Sequence, residues 1–369
     1  MFPALLHRLR AEWIGAINCA GMALEPPFSA IMVSDLEDQG LAASFLIFGA
    51  GQSQPSVVLK WAHTPDRQTY LAREQRTLTE LWAISALSGT IPRPLGCFQA
   101  EASTVTLQTW LCGSSLRVLL QRQERTSVGQ IRHDLFRAQV WIQLLQTATA
   151  LGALQFPGRP AIEQRVELLH RKAGDRVDLP QRFVDRLAAE AEEFRELRLP
   201  LVGRHGDFGP RNFVVSTNRV GVINWGSFTR GALPLDDIFS FAVEMVELCV
   251  WSRSHWLEMG HAFYEAFVED NWFSKLIAEC VDRYLRAMHL PEEIAYLLFS
   301  LFLLDMAALE LQRGAAWAFG GRASWLQFLN HYASHERHSI FYPKERRMIA
   351  LSGSTVVPAG RGASSIRTT

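Results

Sequence analysis

The chain has 369 residues, 48% of them hydrophobic, with 37 basic and 37 acidic side chains that cancel to a formal net charge of zero. That length and apolar content supply core for two lobes and exclude a disordered chain, and the balanced charge gives no bulk attraction to nucleic acid or an anionic membrane. Cys19, Cys97, Cys112, Cys249 and Cys280 are scattered with no C-x-x-C pair, which excludes a zinc framework or a disulfide scaffold and leads us to expect reduced thiols in a cytoplasmic protein.

Residues 1–25 carry Leu5, Leu6, Leu9 and Trp13 at helical spacing, while Arg8, Arg10 and Glu12 interrupt any secretory core; one weakly amphipathic helix is expected and no export. Ser29 to Val33 and Ser44 to Phe48 read as strands joined by the polar turn S-D-L-E-D-Q-G, and Val57 to Trp61 as a third. Lys60 closes that strand in V-V-L-K-W, and Glu74 follows on a helix whose apolar face is Leu71, Leu78, Leu81 and Trp82. An ammonium emerging from a buried strand must be paired, and Glu74 is the available carboxylate. Gly96 to Ala100 and Thr104 to Leu111 complete a five-stranded sheet.

From Arg117 on the chain reads as helical. Phe136 to Leu154 is expected to be a long core helix with Val140, Leu144, Thr147 and Leu151 on its buried face, widened by Trp141, Leu145 and Ala148. Gly158 to Asp178 is rich in mixed charge, which reads as a solvated face. Pro180 to Leu199, with Phe183, Leu187 and Phe194, is expected to be a surface helix. Then comes R-H-G-D-F-G-P-R-N-F-V-V-S-T-N-R-V-G-V-I-N-W-G, Arg204 to Gly226, in which Phe213 to Val215 and Val220 to Ile223 flank a turn of Ser216, Thr217 and Asn218 and so predict a hairpin entered by a loop. Phosphoryl transfer needs a carboxylate to orient a hydroxyl and oxygen ligands for magnesium; Asp207 suits the first role and Asn212 the second.

H-G-D-F-G-P-R-N followed by V-I-N-W-G resembles the catalytic and metal-binding loops of the aminoglycoside phosphotransferase family. That resemblance implies a bilobal protein kinase-like α+β fold, a small lobe with a five-stranded antiparallel sheet plus helix and a large, mostly helical lobe. With it the chain divides into an N-lobe at 26–111 and a C-lobe at 112–350; apolar spacing adds the N-terminal helical extension at 1–25, and a turn to Gly, Ser, Thr, Pro and Arg predicts a disordered tail at 351–369. The resemblance also implies ATP and Mg²⁺ as cofactors and a small-molecule hydroxyl as acceptor: a sugar, an amino alcohol or an aminoglycoside.

By the same resemblance Asp207 is the catalytic base, and His205 braces its loop. Lys60 contacts the α and β phosphates while held by Glu74, main-chain groups at Thr109, Trp110 and Leu111 meet the adenine, and Asn212 and Asn224 ligate the metal. Asn224 stands where the family has an aspartate, so the site keeps the shape of that motif and loses a charge, which weakens metal binding. The turn over the phosphates departs too, with Gly40 as its one glycine beside Asp35, Glu37 and Asp38. Asp236 or Asp237, the latter by position the better match, opens the next helix and reaches back to the catalytic loop. Two functions follow: a small-molecule kinase, or a pseudokinase that kept the fold and works through a protein partner.

The region from Ile238 to Leu329 is expected to be helical and to frame the acceptor, with Glu244, Glu247, Asp305 and Glu310 as acids on otherwise apolar helices. Ile294 to Leu304 is apolar but too short to cross a membrane, so it reads as a buried helix. His331, His335 and His338 share a face if their helix persists, a metal-like spacing without an identified fourth ligand.

Overall fold

The computed structural model describes residues 27–33, 42–100, 102–249, 259–313 and 324–342. The expected N-terminal helix, the turn holding Asp35 to Gly40 and the expected C-terminal tail fall outside them.

The small lobe is one antiparallel sheet in the order β1-β2-β3-β5-β4, made of β1 (Ser29–Val33), β2 (Ala42–Phe48), β3 (Val57–Ala62), β4 (Pro94–Ala100) and β5 (Ser103–Thr109). The alternation of side chains along a strand sets its faces: Val57 and Leu59 are fully buried with Phe45, Ile47, Val105 and Leu107. Lys60, opposite Ser44 and Thr106, points the other way, as the period of two requires. Between β3 and β4 runs α1 (Pro65–Trp82), started by a proline in its first turn, which needs no amide there. Its buried stripe is Leu71, Glu74, Thr77, Leu78 and Leu81, so a carboxylate sits in the middle of an apolar face.

A two-residue strand β6 (Ser114–Ser115) and α2 (Leu116–Gln121) lead into α3 (Val128–Thr149), capped by the reciprocal Ser127 and Gln130 bonds. The helix position differs from the expectation. Val140 is 53% exposed and Leu144 36% exposed, and the buried face holds Trp141 and Leu145, expected only to widen it, together with Ala138, Ile142 and Thr149. Apolar residues lie almost all round this helix, so periodicity fixes that it is helical but not which face turns inward. Leu151 and Leu154 are past its end, and β7 (Ala153–Gln155) pairs with β8 (Arg198–Pro200) instead.

Between those strands lie α4 (Arg159–Ala173) and α5 (Gln181–Glu193), the latter burying Phe183 and Leu187 completely. The hairpin appears as β10 (Phe213–Val215) and β11 (Val220–Val222), and the chain entering it includes β9 (Val202–Arg204), which pairs with β12 (Thr229–Ala232). The remaining helices are α6 (Asp236–Cys249), α7 (Met259–Phe267), α8 (Trp272–Ala287), α9 (Ile294–Arg313) and α10 (Trp325–His335).

α9 runs further than its apolar stretch suggested. Ile294–Gln312 is long and apolar enough to cross a membrane by length and composition, yet 72% of that window is buried against the lobe, so it is a core helix as expected. Tyr296, Phe299 and Leu303 are fully buried there beside Phe239, Phe263, Tyr332 and Phe341. The same core continues through Leu78, Leu81 and Ile91, tying the end of α1 to the large lobe.

Candidate functional site

The loop from His205 to Asn212 is held by the residues around it. Asp237, at the start of α6, accepts the backbone N–H of His205 at its Oδ2 (2.8 Å) and that of Gly206 at its Oδ1 (3.0 Å). Burial pushes this carboxyl's pKa up, while His205 and the two amides pull it back. Neighbouring Asp236 pairs with Arg204 at 3.0 Å, and burial outweighs that partner to lift its carboxyl to about 7. Both acids therefore fasten the loop, and Asp237 makes the reach expected of it.

His205 is fully buried and its ring is committed at both ends. Its Nε2 lies 3.0 Å from the Ile223 carbonyl, which can only accept, so Nε2 carries the proton and Nδ1 accepts the Asp207 N–H at 3.2 Å. Burial pushes its pKa down, which keeps the ring neutral in that role. His205 positions Asp207 and is itself shut off from solvent. Behind it, Trp225 stacks edge-on at 4.6 Å and Phe208 packs on Trp141 and Phe241.

Five of the predicted residues meet in one continuous network. Lys60 Nζ donates to Glu74 Oε1 and Oε2 (2.7 and 2.9 Å) and to Asn224 Oδ1 (2.7 Å), using all three of its protons. Asn224 Nδ2 donates to Asn212 Oδ1 at 2.6 Å. Asn212 Nδ2 in turn donates to the Asp207 backbone oxygen (2.7 Å) and carboxylate Oδ2 (2.8 Å). Lys60, Glu74, Asn224, Asn212 and Asp207, up to 164 positions apart in the chain, are thus joined side chain to side chain. Asn224 adopts φ 67° and ψ 64°, a left-handed conformation that asparagine tolerates better than most residues.

Three residues that the sequence reading left without a role, Tyr70, Arg73 and Arg211, complete the site. On α1, Tyr70 Oη is 3.5 Å from the Asn224 carbonyl, Arg73 Nε donates to the Gly226 carbonyl, and Glu74 Oε1 also accepts the Trp225 amide at 3.1 Å. A Cβ at Gly226 would run into the Tyr70 ring, so the close approach of helix and loop needs that glycine. The spacing of Tyr70, Arg73 and Glu74 on one helical face was the available signal. Arg211 Nη2 donates to Asp207 Oδ1 at 2.5 Å and lies 3.9 Å from Glu244 Oε1. Glu244 is nearly buried, and desolvation outweighs Arg211 and Arg117 to lift its carboxyl to about 7.

Glu244 is the one of the four acids on apolar helices that borders the loop. Glu247 faces Arg117 at 3.9 Å, Asp305 pairs with Arg165 at 2.8 Å, and Glu310 accepts from Ser324 Oγ and the Leu326 amide. The histidine alignment does not hold: α10 ends at His335, His335 Nδ1 donates to the His331 carbonyl, and His338 lies in the following 3₁₀ turn.

At the junction of the lobes, the Thr109 amide donates to the Arg93 carbonyl and its Oγ1 accepts the Arg93 amide, both at 2.9 Å. The Trp110 amide donates to Ser56 at 3.0 Å. Strand β5 stops at Thr109 rather than Leu111, and the amides of Thr109 and Trp110 are spent within the small lobe; what these two residues can still offer a base is carbonyl oxygen. Gly113, at φ 136°, passes so close to the Val215 carbonyl that a Cβ there would stand 2.6 Å from it.

The donor set bears on a cation. Asn212 and Asn224 present hard oxygen, the right kind for magnesium, but both are neutral and already accept hydrogen bonds. Among the described residues no group of three or more His, Cys, Asp or Glu gathers to hold a metal. Such a donor set would suit magnesium only in company with phosphates that bring the missing negative charge.

Comparison with known proteins identifies the family. The family model described as "Phosphotransferase enzyme family" (APH) matches residues 40–273, from β2's approach to the start of α8. Among solved structures, aminoglycoside phosphotransferase APH(3'')-Id from Streptomyces rimosus is 18% identical, covering 79% of this chain and 99% of its own at a TM-score of 0.39. Spectinomycin phosphotransferase APH(9)-Ia, in complex with ADP and spectinomycin, is 11% identical, covering 81% and 88% at a TM-score of 0.36. WbdD is 15% identical, covering 72% and 47% at 0.36. A search of curated proteins by sequence found no match. With well over half its length, including every residue of the network, inside the matched region, the chain belongs to the phosphotransferase enzyme family, with a protein kinase-like bilobal fold.

Proposed function

We infer that the chain transfers the terminal phosphoryl group of ATP to a hydroxyl of a small molecule: a sugar, an amino alcohol or an aminoglycoside-like compound. The observation that carries this reading is the unbroken bond path from Glu74 through Lys60, Asn224 and Asn212 to Asp207. It sets an ammonium for phosphates, amide oxygens for a cation and a carboxylate for a hydroxyl side by side, the parts that phosphoryl transfer needs.

Asp207 orients the acceptor hydroxyl and takes its proton, as its position on a braced loop supports. Lys60, held by Glu74, aligns the phosphates after yielding its bond to Asn224. Thr109, Trp110 and Leu111 border the base through main-chain groups. Asn212 and Asn224 are the residues to hold magnesium, which when bound with the nucleotide neutralises phosphate charge. A cytoplasmic setting and the absence of nucleic-acid or membrane partners belong to the same proposal, supported by the zero net charge and the lack of a disulfide among the described cysteines.

One observation favours a second reading. Asn224 is satisfied at both ends of its amide by Lys60 and Asn212, so the network closes on itself without any cation. A pseudokinase acting through a protein partner would need no more. Two measurements separate the readings. A melting titration with ATP and Mg²⁺ should raise the transition by mass action. Phosphoryl transfer to a panel of polyols and amino alcohols should then be lost at least a hundredfold in Asp207→Ala. Turnover surviving in that variant refutes the assignment of Asp207; nucleotide binding without transfer by the native chain favours the pseudokinase.

A further inference from the structure

Arg211 stands in the catalytic loop immediately before Asn212 and is 40% exposed, and its guanidinium is bonded to the carboxylate assigned as base. Asp207 has both oxygens engaged, Oδ1 by Arg211 and Oδ2 by Asn212. An acceptor hydroxyl oriented by Asp207 lies roughly 2.6–3.2 Å from one of those oxygens. The phosphorus that it attacks lies about 3–3.5 Å beyond the hydroxyl oxygen. A phosphoryl group in flight therefore lies within about 7 Å of the carboxylate to which this guanidinium is bonded, a span that the long arginine side chain can bridge.

Charge points the same way. A transferring phosphoryl group spreads negative charge over three equatorial oxygens, which must be met by cations. Lys60 sits at the far end of the bridge formed by Asn224 and Asn212, at the end assigned to the inner phosphates. Asn224 brings no negative charge to hold a divalent ion near the outermost one. Arg211 is at the Asp207 end, and its planar fork of five donors matches phosphate oxygens. Glu244 supports it from α6 at 3.9 Å, with room made by Gly209, where a Cβ would strike the Glu244 carboxylate.

We propose that Arg211 is a catalytic residue which binds the terminal phosphoryl group of the nucleoside triphosphate, taking over the charge neutralisation of a cation that Asn224 holds poorly. This rests on the phosphotransferase reading and names a group that it did not include. The bond to Asp207 holds the guanidinium beside the carboxylate, and its planar fork turns to the phosphoryl oxygens when the triphosphate arrives.

The test is equilibrium binding of ADP and of the non-hydrolysable β,γ-imido analogue of ATP to the native chain, Arg211→Gln and Arg211→Lys at one fixed magnesium concentration. The native chain is expected to prefer the triphosphate analogue by about tenfold, the scale of one charge-assisted hydrogen bond. Arg211→Gln should erase that preference and leave ADP affinity within about twofold. Arg211→Lys keeps the charge without the fork and should lose about threefold on the triphosphate alone; it decides the matter if the glutamine variant does not fold. Equal loss for both nucleotides, or no loss, overturns the role of Arg211 while leaving the nucleotide site standing. A native chain that binds neither nucleotide overturns both the role and the reading beneath it.

Discussion

Replacing Asn224 with aspartate should make the protein less stable alone and more responsive to magnesium. The Asn212 amide cannot rotate to accommodate the change, because its nitrogen is pinned by two bonds to Asp207 at 2.7 and 2.8 Å. Its oxygen then faces a carboxylate oxygen across the 2.6 Å now spanned by a hydrogen bond, acceptor against acceptor. Losing that bond costs about 1 kcal/mol, with the repulsion added to it. The new charge is partly repaid by Lys60, which already sits 2.7 Å from this position. A cation between the two oxygens relieves the repulsion: two unit charges about 4 Å apart interact by roughly 4 kcal/mol at an effective dielectric near 20. After the competing Lys60 interaction, about 1–3 kcal/mol of that should remain, a gain of roughly five- to 150-fold in magnesium affinity. Melting curves with and without Mg²⁺ and ADP read both effects. A variant whose melting temperature does not fall without magnesium, and whose magnesium dependence matches the native chain, would refute the juxtaposition of Asn224 and Asn212.

Glu74→Ala strands a lysine that is 8% exposed and removes the acceptor of the Trp225 amide; breaking such a pair should cost about 3–5 kcal/mol. The double change Lys60→Met with Glu74→Leu should be milder than Glu74→Ala alone, and a double variant that is no more stable by urea melts would show the pair to be uncoupled. Glu244 titrates near 4.5 when unfolded and at about 7 when folded. Between those values the folded chain holds more protons than the unfolded one, so this group's contribution to stability falls as pH rises from about 4.5 to about 7, then levels. Glu244→Gln should flatten that slope by on the order of 1–3 kcal/mol, checked by denaturant melts at pH 5 and pH 8; an unchanged slope would remove Glu244 as its source.

By itself the sequence determined what is encoded within short reach. The β10–β11 hairpin, the spacing of Asp207 and Asn212 around it, and the pairing of Lys60 with Glu74 follow from turn chemistry, period-two patterning and the cost of an unpaired buried charge. Where the protein meets itself across long separations, only the tertiary structure decided. Nothing local says that Lys60 spends its third proton on Asn224, that Tyr70 and Arg73 clamp the Asn224 loop, or that Glu244 leans on Gly209 beside Arg211. The same holds for α3, where Val140 and Leu144 face outward while Gln139 and Gln146 are buried, Gln146 with the Tyr284 hydroxyl as donor. A helix apolar on most sides carries no record of which side its neighbours will cover, and a side chain's partner is set by packing geometry rather than by its own chemistry.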